Sequence, residues 1–156
     1  MTYRNLKDEI KVLELGLPPQ EGDGFIGGRL DPNEASLVLI PVPWEATVSY
    51  GQGTAKAPDA MRLSSHQLDV ETYHYIKPYL AGISMLETDK SLLKLSNKAR
   101  KKAVKVIKAL EEGKENKKAL KFVNEASTIL NTSVYQKSIK QIKKGKFVAV
   151  VGGDHS

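Results

Sequence analysis

The sequence has no cysteine and no long apolar run, and both absences narrow what the chain can be. Without any cysteine among its 156 residues, the chain has no disulfide, no thiolate zinc site and no cysteine nucleophile. No apolar run approaches the roughly 20 residues that a membrane-spanning helix needs. The charged segment Met1–Glu9 has no signal-peptide hydrophobic region. We therefore expect a cytoplasmic protein with no membrane partner.

Aromatic residues are also scarce, whereas lysine is abundant and gives a net charge of +6. Most of the lysines lie between Lys90 and Lys146, where apolar residues recur at helical spacing, as at Ala103, Ile107 and Leu110. This pattern predicts two or three amphipathic helices with solvated lysine faces. Because aromatic residues are not interleaved with the lysines, as a single-strand binding surface requires, we expect no nucleic-acid partner. A basic binding patch stays open as an alternative that rests on charge alone.

The distribution of glycine, proline and short apolar runs predicts two regions in the chain. Residues 1–35 are rich in glycine and proline, which predicts an irregular N-terminal arm with one short helix at 6–15. Residues 36–156 form the predicted folded domain, in which short apolar runs at 36–40, 81–85 and 147–151 are expected to be strands. Pro58 suits the first turn of a helix that continues to Leu68. Strands that alternate with helices indicate an α/β fold with a mostly parallel sheet.

The segment that most clearly indicates a functional site is Gly152-Gly153-Asp154-His155-Ser156, which follows the last predicted strand directly. The two glycines let the backbone turn sharply and approach another group closely. The Asp-His pair then lies at the carboxyl end of a strand, which is the edge where open α/β sheets bind ligands. An imidazole in that position is able to bind a metal ion.

This segment resembles the first metal-binding motif of the ureohydrolases, the family of arginase and agmatinase. A second segment, Ile40–Thr54 followed by Ala57–Arg62, resembles the end of that family's first strand, its Thr-x-Ser-Tyr-x-x-Gly loop and the helix start after it. The resemblance covers Ser36–Ser156. The loop at residues 47–51 favours agmatinase over arginase, and guanidinobutyrate and formiminoglutamate hydrolases are similar in the same motifs.

The resemblance implies a three-layer α/β/α fold around a mostly parallel sheet, of which only the first part is present here. It further implies two manganese ions at the carboxyl edge, a small guanidino substrate that is hydrolysed to urea and an amine, and a homo-oligomer. Carried over residue by residue, it makes His155 a metal ligand and Asp154 a group that orients ligands by hydrogen bonding. Gly152 and Gly153 would form the backbone turn at the site. No catalytic residue is assigned.

The sequence departs from the family pattern in its ligand set. The family also uses an Asp-x-His-x-Asp motif and an Asp-x-Asp motif, but no aspartate of this sequence is followed two positions later by His or Asp. One imidazole cannot hold two metal ions, since divalent ions of this kind also need carboxylate oxygens. We therefore expect an incomplete, inactive portion of a ureohydrolase, which would be an enzyme if the chain continued past Ser156. The alternative is a non-catalytic interaction or assembly module built from half the fold.

Other polar residues near these motifs are expected to have structural roles. His66 and His74 are eight residues apart, which is not the spacing of a ligand pair on a helix, so both are expected to be structural or solvent-facing. Glu45 and Asp59 are expected to cap a loop or helix, although both could line a substrate entrance. Arg62 is expected to form a structural ion pair.

Overall fold

The computed structural model of the chain describes residues 3–48, 51–70, 74 and 77–154. In these residues the helices are α1 (Leu6–Glu14), α2 (Ala57–Ser64), α3 (Lys90–Glu111) and α4 (Lys117–Ile142). The strands are β1 (Leu37–Val42), β2 (Ile83–Met85) and β3 (Phe147–Gly152). None of the described helices is long and apolar enough to cross a membrane.

The three strands form one parallel sheet in the order β2-β1-β3. Each connection between neighbouring strands contains helix, as parallel pairing requires. The predicted α/β class with a parallel sheet is therefore confirmed. All three strands end at the same edge of the sheet, which places the segments that follow β1 and β3 side by side.

Strand β1 continues through Pro41, where the sequence predicted its end, and pairs with β3 as far as Val42 and Gly152. Leu37 donates its amide to Gly82, and Leu39 accepts from Leu86, so the odd-numbered residues of β1 point their backbone groups at β2. Strand β2 ends at Met85, opposite Leu39. Pro41 therefore lies beyond the end of β2, and its missing N–H costs no ladder hydrogen bond.

The two faces of the sheet are covered by different parts of the chain. On one face, Ile40 and Val42 pack with buried residues of α3 and α4 such as Ala99 and Leu130. On the other face, Leu39, Met85 and Val151 form a second cluster that Phe25 of the N-terminal arm covers. This arrangement of helices and arm around a parallel sheet is that of a layered α/β domain.

The N-terminal arm is irregular apart from α1 and a 3-10 turn at Phe25–Gly27, in agreement with the predicted short helix. Glu9 holds two parts of the arm together. Its buried carboxylate accepts a hydrogen bond from the Arg29 amide at 2.9 Å and forms an ion pair with Arg4. Ile26 donates its amide to the hydroxyl of Ser65 at 2.8 Å, which ties the arm to the chain after α2. The arm is thus an ordered cover for one face of the sheet.

The lysine-rich region forms two helices that pack against each other, within the predicted two or three. More than half of their buried residues are alanine or serine. The buried residues are Leu92, Ser96, Ala99 and Ala103 on α3 and Ala119, Val123, Ala126, Leu130 and Gln141 on α4. Ile107 and Leu110 of the predicted pattern are instead exposed, as are the larger apolar residues Leu120, Ile129 and Ile142 of α4. The small side chains suit the close packing of α3 against α4, and α4 contacts β1 and β3.

Candidate functional site

The carboxyl ends of β1 and β3 are joined by direct hydrogen bonds. The Asp154 amide donates to the Trp44 carbonyl at 2.9 Å. The Thr47 hydroxyl donates to the Asp154 carboxylate at 3.1 Å. The two motifs that the sequence analysis singled out are more than one hundred residues apart in sequence, and the sheet brings them into contact. Their meeting point defines the candidate site.

Gly153 is required where the two ends meet. A Cβ atom at this position would lie 2.6 Å from the Thr54 carbonyl oxygen and closer still to that of Trp44, both of them backbone atoms. At Gly152 an added Cβ would meet nothing within 4 Å. The two glycines therefore differ, since only Gly153 is needed for the close approach of one strand end to the other.

The loop after β1 is held by Glu45. Its carboxylate accepts from the amides of Gly53 at 2.7 Å and Ala55 at 3.2 Å, and its own amide donates to the buried hydroxyl of Ser96 at 3.0 Å. Arg100 adds a second attachment from α3, donating to the Val48 carbonyl at 2.7 Å. The expected loop-capping role of Glu45 agrees with this geometry.

His155 lies outside the described residues, as do Ser49 and Tyr50 of the loop. The prediction that His155 is a metal ligand therefore stays a prediction, and so does the supporting role of Asp154. Asp154 is partly buried and already bonded to Thr47. In the part of the chain that the structure describes, no three His, Asp or Glu side chains are grouped as a metal site would need. The described donors alone do not fit a pair of manganese ions.

An open cleft of about 710 Å³ lies beside Asp154, between the end of β3 and α4. It is lined by apolar and small residues that include Val42, Leu130, Val134, Tyr135 and Gly152. This volume is within the range of small-ligand sites. The strand ends thus provide a carboxylate beside a space that a small molecule could enter.

The other polar residues of the sequence analysis have structural contacts. The ring of His66 lies 2.9 Å from the Gly24 carbonyl, and His74 is exposed. Asp59 accepts from the Thr88 hydroxyl at 2.6 Å. Arg62 donates to the Leu86 carbonyl at 2.9 Å and pairs with Glu87, as the expectation of an ion pair required. None of these contacts brings the residue to the meeting point of β1 and β3.

Sequence reasoning missed the contacts of Thr47, Ser96 and Arg100. Thr47 is part of the loop motif, so the sequence indicated that it lies near the site. Its hydrogen-bond partner Asp154 is 107 residues away in the sequence, and no local pattern indicates that contact. Ser96 and Arg100 lie in the lysine-rich region, and nothing in their local sequence indicates that they hold a loop after β1. Only the packing of α3 against that loop explains their roles.

The family model described as the arginase family matches residues 35–156. No curated protein and no solved structure matches the chain.

Proposed function

The chain belongs to the arginase family, and on that premise we propose that it supplies part of the active site of a manganese-dependent ureohydrolase. Its substrate would be an agmatine-like guanidino compound, hydrolysed to urea and an amine. The observation that carries the proposal is the bonding of Asp154 to Trp44 and Thr47 at one edge of a parallel sheet. The resemblance of the loop at residues 47–51 to agmatinase supports the choice of substrate.

In this proposal His155 is the one metal ligand that the chain provides. Gly153 allows the chain after β3 to pass close to Trp44 and Thr54, which places Asp154 at the sheet edge, directly before His155 in the sequence. The hydrogen bond from Thr47 fixes the Asp154 carboxylate, so that Asp154 can orient a neighbouring imidazole. Manganese at such a site would supply an activated water for attack on the guanidinium carbon. The ligands present here are too few for a metal pair, so we propose that the chain alone is inactive.

A urea assay on the purified chain tests the proposed inactivity. We expect no urea release from agmatine or arginine, with or without added manganese, because the sequence lacks the two further aspartate motifs of the family. Sustained turnover by the 156-residue protein would contradict the ligand argument.

The ligand role of His155 is tested in the chain supplemented with a segment that carries the two missing aspartate motifs. His155→Ala should remove one metal ion and lower the rate of urea production by about 100-fold or more. His74→Ala is the matched control, since His74 is exposed, and it should change neither metal content nor rate. An active His155→Ala protein with two metal ions bound would exclude the assignment.

We also propose that the protein is a cytoplasmic homo-oligomer with neither nucleic acid nor membrane as a partner. The absence of cysteine and the resemblance to the ureohydrolases support this part of the proposal.

A further inference from the structure

A second cleft, lined mainly by α3, is strongly basic. This open groove of about 980 Å³ is lined by Glu45 and Gln52 of the loop after β1, by α3, and by Phe122 of α4. Val104 and Phe122 are its apolar residues. Five lysines of α3 line it, namely Lys98, Lys101, Lys102, Lys105 and Lys108. We refer to it as the lysine groove.

The positive charges of the groove lysines repel one another. Each of them has another lysine of the set three or four residues away, as Lys101 has Lys105 and Lys105 has Lys108. Residues at these spacings are neighbours on a helix surface, and like charges there destabilise the helix. Among the described residues none of the five forms an ion pair, whereas other lysines, such as Lys121 and Lys137, are paired with carboxylates. The groove therefore has a concentrated positive charge that an anion would relieve.

The groove also has neutral hydrogen-bonding groups. Asn97 and Gln52 are exposed amides in its lining. The Arg100 guanidinium lies there too, and its Nε–H is buried with no acceptor among the described residues. Within a span of about 15 Å along α3, the groove thus combines ammonium groups, amides and a half-buried aromatic ring.

We propose that the lysine groove binds a small molecule that carries an oligophosphate chain. Phosphate oxygens form strong charge-assisted hydrogen bonds to clustered ammonium groups. The volume suits one small ligand, and Val104 and Phe122 give an apolar surface for an organic group attached to the phosphates. A single half-buried ring is too little for the repeated base stacking that binds a nucleic-acid strand, which disfavours an extended polymer.

The test is calorimetric titration of the chain with tripolyphosphate and with ATP at physiological salt. The variant is Lys101→Glu with Lys105→Glu, and its control is Lys140→Glu with Lys143→Glu, which makes the same change in net charge at exposed positions outside the groove. The groove variant should weaken binding by about tenfold or more, and the control by less than about threefold. Replacement of Lys101 and Lys105 by glutamine repeats the measurement without introducing repulsive charge.

Saturable binding of both probes that only the groove variants weaken would support the proposal. Tighter binding of ATP than of tripolyphosphate would identify a nucleotide, and equal binding would identify the phosphate chain as the only recognised group. Absence of saturable binding, or equal losses in the groove variant and the control, would overturn it. Affinity that rises with the length of a single-stranded oligonucleotide would overturn it in favour of a nucleic-acid surface.

Discussion

Gly153 is the residue on which the geometry of the candidate site depends most. Gly153→Ala would place a methyl group against the carbonyl oxygens of Trp44 and Thr54. Neither has much freedom to move away, because the Trp44 carbonyl accepts from the Asp154 amide and Thr54 lies between two amides that Glu45 holds. We expect a loss of about 1–3 kcal/mol in the free energy of unfolding. Urea denaturation measures it.

Gly152→Ala is the matched control because an added Cβ there meets nothing within 4 Å. We expect a change within about 0.5 kcal/mol. Equal losses in the two variants would mean that the strand ends do not approach each other as described.

At the residue scale the sequence predicted the turn but only part of its surroundings. Two glycines before an Asp-His pair indicated a close approach, and Gly153 makes one. The sequence did not distinguish the two glycines, because the atoms that exclude a side chain at Gly153 belong to Trp44 and Thr54. Likewise, the partner of Glu45 on α3 is Ser96, fifty-one residues away, and no local pattern reveals such a contact.

At the scale of elements, Asp89 links the two long helices. Its carboxylate caps α3 by accepting from the Ser91 and Leu92 amides, and it pairs with Lys137 of α4 at 2.8 Å. The hydrogen bond from Lys137, followed by that from Ser91, holds the pKa of Asp89 well below its ordinary value. The folded state therefore favours the ionised carboxylate, and this contribution to stability is complete above the unfolded pKa of about 4. It is lost as the pH falls below that value.

Asp89→Asn tests this linkage because asparagine can still cap the helix but cannot form the ion pair. We expect the variant to be less stable than the parent by about 1 kcal/mol at pH 6, and the difference to shrink as the pH falls towards 3. Denaturant unfolding at both pH values measures it. Glu112→Gln removes a largely exposed pair with Lys114 and should have no such effect. A difference for Asp89→Asn that is the same at both pH values would contradict the assigned pKa shift.

The order of elements could be predicted from the sequence, while several of their limits could not. Alternating apolar runs and lysine-rich helices gave the parallel sheet and the two long helices. The predicted end of β1 at Pro41 was wrong, because a proline is tolerated in a strand where no neighbouring strand lies opposite its nitrogen. The sequence of β1 does not show that β2 is too short to reach that position. The start of α3 after Asp89 and that of α4 after Asn116 had usable signals, since both residues cap their helices through side-chain oxygens.

For the whole molecule, the distribution of positive charge predicts weak and salt-dependent binding of nucleic acid. If most lysines are solvated helix faces, duplex DNA should bind weakly at low salt and lose nearly all binding at physiological salt, because the association depends on counterion release. Fluorescence anisotropy with a labelled duplex over a range of salt concentrations measures this. Tight binding that persists at physiological salt would favour the basic-patch alternative.

We propose that the carboxyl ends of β1 and β3 together form a partial metal site that contains His155. Titration of the chain with manganese, followed by paramagnetic line broadening of backbone amide signals, tests it most directly. We expect the strongest broadening around residues 153–155, with effects at Trp44 and Thr47 because Asp154 bonds to both. His155→Ala should abolish this pattern and His74→Ala should preserve it. Broadening that is centred elsewhere, or that survives in His155→Ala, would contradict the claim.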